Sequence, residues 1–447
     1  MNITTTSKPG YAILLAIFTC SMMMHFGVKF TLYSKSTLLF VVIASLILLD
    51  FRKWALNYLA IFSGLFLFYD QFPRLANHAN LEFFVCIFFS LLLIAKIIFK
   101  LEPPKARVVT YAFRITLITV YFIAGFHKLN SGFFSTNGSC SAYVEIMNIK
   151  LLYGKNPFTH HYLGWFAQVS TIIIEMIVPF GILFKSTRKI TVIILACFHF
   201  YLNLCGFYNF STFAALLIAG STINLDTKEL PESLLKSFKY FLFFCIFSAA
   251  STKFLWWLRV LPARQLVTYG SVIYNIGWII LFYGLIKLSN NYATKYKFSW
   301  LHPAIFFVIL FWGIQGYIGL STASSLSMFS NLTTEKEHCN HFIIDTKKTK
   351  IWNFEEDYVV ITNIPKECKL SEIKLVQNYG IPRIELKRNI MLWKKFRQPL
   401  PCTLVYKGET IFVPDLRNSK FSTYEMKWWY RFLYYRRIIV NNNECLW

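Results

Sequence analysis

Four ionisable side chains sit in or at the ends of apolar runs. They are His78 in Leu75-Ala-Asn-His-Ala-Asn-Leu81, Lys128 closing Tyr121-Phe-Ile-Ala-Gly-Phe-His-Lys128, Glu175 in Ile173-Ile-Glu-Met-Ile-Val-Pro179, and His199 in Cys197-Phe-His-Phe-Tyr-Leu-Asn203. Hydrocarbon penalises such groups by several kcal/mol unless they are paired, so each is a functional hypothesis by default. An ammonium stripped of water is driven toward the neutral amine, which makes Lys128 a candidate base for abstracting a proton. Structural roles stay open beside this one. Lys128 and Glu175 can form an ion pair that orients helices, or Lys128 can snorkel to the headgroups. His78 can be solvated at the interface, and His199 can be a core histidine bonded to a backbone carbonyl. His127 is adjacent to Lys128 on the helix and so faces a different neighbour.

The elements that hold these residues are apolar helices. The chain is 55% hydrophobic and only 15% charged, with the hydrophobicity gathered in runs, which is the composition of an integral membrane protein. Runs long enough to cross a bilayer lie near 11–31, 54–72, 82–99, 108–127, 163–184, 189–205, 270–288 and 299–320. Shorter runs at 36–51, 207–222 and 237–252 raise the expectation to about nine to eleven crossings. The apolar run after Gly10 lacks a small-residue cleavage site and reads as an anchor. Between Asn130 and Tyr162 runs a long connection that starts beside Lys128, where it can cover a site from one side of the membrane.

A net charge of +24 invites a nucleic-acid reading, but the basic residues are dispersed over loops and the C-terminal region, so no nucleic-acid partner is expected. Their distribution follows topology instead. By the positive-inside rule it places the N-terminus in the cytoplasm and the C-terminal region outside. After Leu320 the long apolar runs give way to short ones: Tyr358–Thr362, Thr403–Tyr406 and Thr410–Val413 are β-branched or aromatic and bounded by turn formers, and read as strands. Ser422–Asn441 reads as an aromatic and basic helix, either on a membrane surface or packed on the strands. The expected architecture is an all-α polytopic membrane bundle, residues 1–320, with a small β-rich (α+β) exoplasmic domain, residues 321–447. Cys339, Cys368, Cys402 and Cys445 in that domain allow two disulfides in three pairings. Cys339 and His341 cannot complete a tetrahedral ligand set, and no metal is expected.

Asn77-His78, then Ala124-Gly-Phe-His-Lys-Leu-Asn130, then Glu175–Pro179, then Phe198-His199 with Gly206-Phe-Tyr-Asn-Phe210 recur in this order in the HTTM family, the horizontally transferred transmembrane proteins that include vitamin K-dependent gamma-carboxylase. The resemblance covers roughly residues 10–320, and its most specific piece is A-G-x-x-K-L with the upstream N-H pair. It implies that Lys128 is the base that deprotonates a reduced quinone of the vitamin K hydroquinone type. It also implies that His78, with Asn77, assists in positioning or proton transfer, and that His199 lines the site, with His127 and Glu175 in support. Oxygen and carbon dioxide are the implied co-substrates. Oxygenation of the quinol gives a stronger base, and CO2 traps the carbanion it makes, a lyase-type reaction on a peptide or protein substrate at the exoplasmic face.

This chain departs from the pattern at three places near the lysine. His127 stands where a second lysine is usual, Asn130 replaces an acidic residue, and Phe133 replaces a tryptophan. The segment after the last helix, Ser327-Met-Phe-Ser-Asn331 with Asn340-His341, resembles that of bacterial-type members, while the C-terminal part is much shorter than the lumenal portion of the animal enzyme. The alternative expectation is a membrane protein that binds lipid or quinone in an envelope process without turnover.

Overall fold

Pro9 stands at the first helical position, where its missing N–H removes no helix bond, and an unbroken apolar run follows to form the first helix. The computed structural model describes residues 9–28, 35–51, 53–75, 77–100, 104–135, 138–141, 143–144, 161–225, 229–260, 263–288, 298–335, 337–365, 370–396, 398–438 and 445. Eleven long helices are described: α1 Pro9–Val28, α2 Lys35–Leu49, α3 Trp54–Gln71, α4 Asn77–Ile98, α5 Ala106–Phe126, α6 His161–Met176, α7 Lys185–Leu204, α8 Tyr208–Thr222, α9 Glu232–Trp257, α10 Ala263–Leu288 and α11 Leu301–Ile318. Seven apolar helical segments among the described residues are long enough to cross a membrane, which is consistent with a multi-pass membrane protein.

The chain forms two compact units. The first comprises Met1–Gln71, His78–Gly125 and Val144–Leu310; the second comprises Phe72–Asn77, Phe126–Tyr143 and Phe311–Trp447.

In the first unit, α1 is apolar around its whole circumference and correspondingly buried, with Ala12, Phe18, Cys20 and Met22 fully shielded. It packs on α8, while α9 and α10 run together along most of their lengths. Other helices leave one apolar side uncovered, as Leu91 and Ile97 on α4 and Phe243 and Phe247 on α9 do. An uncovered apolar side of this extent suits hydrocarbon rather than water. Pro179 cannot continue an α-helix, so the chain after α6 tightens into a 3-10 turn over Val178–Leu183, and Glu175 lies in the last turn of α6 rather than mid-helix. Between α7 and α8, Gly206 adopts φ +89°, and Phe207 N donates to the Leu202 carbonyl at 3.1 Å. This left-handed cap turns the chain so that α8 returns alongside α7.

The second unit contains a four-stranded antiparallel sheet in the order β2-β1-β3-β4, with β1 Tyr358–Asn363, β2 Gly380–Pro382, β3 Cys402–Tyr406 and β4 Glu409–Val413. The Lys407-Gly408 turn joins β3 to β4 with both residues at positive φ, as a two-residue hairpin requires. A further helix, α12 Arg383–Trp393, lays Leu386, Ile390 and Trp393 on the core formed by Val359, Ile361 and Leu404.

Two expectations are corrected here. Over Ser422–Asn441 the described residues form short 3-10 turns, the longer at Trp428–Phe432, followed by extended chain. The extended backbone is committed elsewhere: the Tyr434 carbonyl accepts from Thr322 and Ala323 at 3.0 Å each, and Ile438 pairs with Gly380. These bonds displace the helix that the aromatic and basic pattern favours. The disulfide among the described residues joins Cys140 to Cys445, so Cys445 pairs outside the set of four; Cys339 is a free thiol, and Cys368 lies outside the described residues.

Candidate functional site

In the first unit, a histidine that the sequence singled out meets two residues that it did not. His78 and Glu82 are four apart on α4 and so share one face. Ser21 and His25 have the same spacing on α1. His25 Nδ1 lies 3.4 Å from His78 Nε2 and 4.0 Å from Glu82 Oε2, and Ser21 Oγ donates a short hydrogen bond to Glu82 Oε1. All four side chains are buried, with Glu82 fully shielded. The pair of imidazoles and the carboxylate therefore share a small volume in which a proton or a cation must be distributed among three acceptors.

A second cluster lies across Phe210, whose ring centroid is 5.6 Å from that of His78 and 5.2 Å from that of His199. His199, fully buried on α7, makes a short hydrogen bond through Nε2 to the Tyr121 hydroxyl, and its Nδ1 is 3.0 Å from Ser211 Oγ. The consistent assignment has Tyr121 donating to Nε2, Nδ1–H donating to Ser211, and Ser211 donating onward to the Phe207 carbonyl at 3.4 Å. Glu175 acts electrostatically on the Tyr121 hydroxyl, and the backbone of Gly125 lies so close to Glu175 and Met176 that a Cβ at Gly125 would come within 3.0 Å of the Glu175 Cβ. Glycine at 125 is what lets α5 and α6 approach at this level.

An apolar groove of about 310 Å³ shares helices with these clusters, lined among others by Leu81, Val85 and Phe88 of α4, Phe113 of α5, Phe213 of α8 and Val308 of α11. Leu81 is adjacent to Glu82, and Phe213 is one helical turn beyond Phe210. Leu91 and Val308 on its lining are exposed, so the groove opens onto the outer apolar surface.

The remaining predicted residues fall in the second unit. Asn77 Oδ1 accepts from Leu326 N at 2.8 Å, which fixes the start of α4 to the segment after α11. His127 is buried against Tyr317, with ring centroids 5.3 Å apart. Lys128 is 4% exposed, in the turn that leaves α5. That turn is held by an asparagine network. Asn130 Nδ2 donates to the His127 and Ser330 carbonyls at 2.7 Å each, and its Oδ1 accepts from Phe133 N at 2.8 Å. Asn340 donates to Asn130 Oδ1 at 3.3 Å and to the Asn331 carbonyl at 2.8 Å. The Asn331 side chain bonds Gly138 and Cys140, so the Asn331-Leu-Thr333 sequon is engaged inside the fold. Only an amide both donates and accepts in this way, which explains why asparagine rather than an acid occupies position 130.

His341 Nε2 donates to the Phe126 carbonyl at 3.0 Å, and its Nδ1 accepts from Ile344 N at 3.0 Å. Burial lowers the His341 pKa, against the pull of the Phe126 carbonyl. Both ring nitrogens are thus committed to the backbone, and Cys339 Sγ turns to the Ile344 carbonyl, so these residues cap α5 rather than gather around an ion.

His78 and Asn77, adjacent in sequence, belong to different units, as do Lys128 and Glu175. The members of the two buried clusters that the sequence did not single out include His25, Glu82, Tyr121 and Ser211. The i, i+4 spacing of His78 and Glu82 was a usable signal for the second of these. Compared with protein families, with curated proteins and with solved structures, the chain shows no match in any of the three.

Proposed function

We propose that the chain is a multi-pass integral membrane protein of the HTTM type that acts on a membrane-soluble quinol, coupling its deprotonation and oxygenation to carboxylation or a related reaction. The observation that carries the reading is the groove of about 310 Å³ built on helices, α5 and α8, that also carry members of a buried imidazole and phenol cluster. A prenylated quinol has this division, an apolar tail and a head bearing two hydroxyls. Phe210 and Phe213 lie one turn apart on α8, so one helix serves both the polar cluster and the groove. His78 and His199 are the residues that would orient the head group, and the surrounding apolar helices would exclude water.

Lys128 enters as the base through the ordered A-G-x-x-K-L motif, and its burial in a turn fixed by Asn130 suits a group that must hold its position. The balanced reaction takes a quinol, O2, a C–H substrate and CO2 to an epoxide, water, a carboxylate and a proton. The Cys140–Cys445 disulfide supports an oxidising, exoplasmic location for the second unit, with the N-terminus on the cytoplasmic side, because such bonds persist outside the cytosol.

Extraction and mass spectrometry of lipids that co-purify with the protein test the first step, and a bound quinone is the expected result. With that quinol supplied, Lys128→Ala should lower epoxide formation by about 100-fold or more while the protein still inserts in membranes. Unchanged epoxidation in the variant would remove Lys128 from the mechanism. Bound lipid with no turnover in the parent protein would favour a binding role without catalysis.

A further inference from the structure

We infer that His25, His78 and Glu82 form a binding site for one divalent first-row metal ion of the zinc or ferrous type. This goes beyond the quinol reading and does not depend on it. Two imidazoles and one carboxylate are the donor set that such ions take when a further coordination position is left for a substrate or water. The three donor atoms, His25 Nδ1, His78 Nε2 and Glu82 Oε2, all lie within 4.8 Å of one another.

The spacing argues for a shared ion rather than a simple contact. Ligands held at about 2.0–2.1 Å from a tetrahedral centre are roughly 3.3 Å apart. The two ring nitrogens, 3.4 Å apart, already have ligand spacing, whereas the carboxylate oxygen, 4.0 Å from His25 Nδ1 in a set that spans up to 4.8 Å, closes the set by moving in by on the order of 1 Å. The second observation is Glu82 itself. Its side chain is fully shielded, its Oε1 accepts from Ser21, and its Oε2 faces the two histidines with no hydrogen bond to it. A sealed carboxylate oxygen is compensated by a proton or by a cation, and the two imidazoles directed at the same point supply the further donors that a metal ion needs.

The ligands come from two rigid elements, α1 and α4, and their positions are fixed by helical spacing. Ser21 then acts on the ligand that it bonds, orienting the Glu82 carboxylate as outer partners of metal ligands do. The site differs from the His338-Cys339-Asn340-His341 cluster, in which the Cys339, Asn340 and His341 side chains are engaged with backbone and His338 is exposed.

The test uses the full chain purified in detergent. Elemental analysis should find about one zinc or iron per chain. After chelation, Co2+ added alone should restore one equivalent and give visible ligand-field bands. X-ray absorption of the bound ion should show two imidazole ligands. Glu82→Gln and His25→Ala should each weaken Co2+ binding by at least about 10-fold, whereas His338→Ala, a change at an exposed histidine, should leave it unaltered. Folded parent protein that takes up no Zn2+, Fe2+ or Co2+ overturns the site, as does full binding in both ligand variants. If a variant fails to fold, the X-ray absorption of the parent decides, because an ion without two imidazole ligands is not in this site.

Discussion

Glu82 in the helical unit and Glu355 in the C-terminal unit are both sealed from solvent, at 0% and 1% exposure, but they keep different company. Glu82 faces a serine, which stays neutral, and two histidines, which carry a positive charge only when a proton is supplied. Glu355 sits in an ionic cluster. Lys350 pairs with both Glu355 and Glu356, the latter at 2.6 Å, and Arg436 pairs with Glu335 at 3.2 Å. Two cations thus meet three carboxyls, and a proton on one carboxyl balances the charge. The C-terminal cluster is complete as a structural device, because its own residues supply the compensation. The helical cluster becomes complete when something is bound, which is why the functional inference is placed there.

The largest expected effect tests the structural half of the comparison. Lys350→Met removes the cation shared by two carboxyls and leaves buried acid uncompensated, a change that typically costs about 3–5 kcal/mol. Denaturant unfolding of the second unit, followed by tryptophan fluorescence, should report a loss of that order. An unchanged midpoint would show that the cluster is solvated and that the contrast with Glu82 is mistaken.

The same contrast shows what the sequence could disclose. Strands β1, β3 and β4 were legible because β-branched and aromatic residues fill short runs bounded by turn formers. Strand β2 was not, since Gly380-Ile-Pro382 is three residues long and gains its place only by pairing with β1 and Ile438. The segment after Ser422 carried a helical pattern that lost to backbone bonds made with residues more than a hundred positions away, such as Thr322 and Ala323. His78 and His199 stood out as ionisable groups in or beside apolar runs. His25 and Glu82 did not, because Glu82 looked like the polar start of its run, and the meaning of His25 depends on a neighbour 53 residues distant. Local pattern reveals which residue is costly, whereas the partner that makes it useful is a matter of tertiary packing.

A second prediction concerns the turn that carries Lys128. Asn130→Asp restores the acidic residue expected there from the family resemblance, yet it removes two donated hydrogen bonds, to the His127 and Ser330 carbonyls. A carboxylate placed among carbonyl oxygens should lower stability by about 1–3 kcal/mol, read as a fall in melting temperature. If Asn130→Asp is neutral, the asparagine network does not hold the turn. Asn130→Ala keeps the question open to measurement, because it loses the same donors without adding charge and should cost less than the aspartate.

The smallest effect is a pH dependence, and it sharpens the charge count. Burial raises the Glu355 pKa from 4.5 to about 8, the neighbouring Glu335 adds to the rise, and Lys350 opposes it. An acid with a raised folded-state pKa binds its proton more tightly when folded than when unfolded. Stability should therefore fall as pH rises from about 4.5 to about 8, by at most about 1.4 kcal/mol per pH unit, and level off above that window. Glu355→Gln mimics the neutral acid. The variant should match the parent within about 1 kcal/mol near the low end of the window, where both are uncharged, and exceed it at the high end, where the parent alone carries a third negative charge beside two cations. Unfolding free energies at several pH values for the pair give the difference directly. Parallel curves for parent and variant would mean that Glu355 titrates normally and that Lys350 alone compensates it. In that case the cluster would hold three ionised carboxyls against two cations, and self-sufficient charge balance could no longer be what separates it from Glu82.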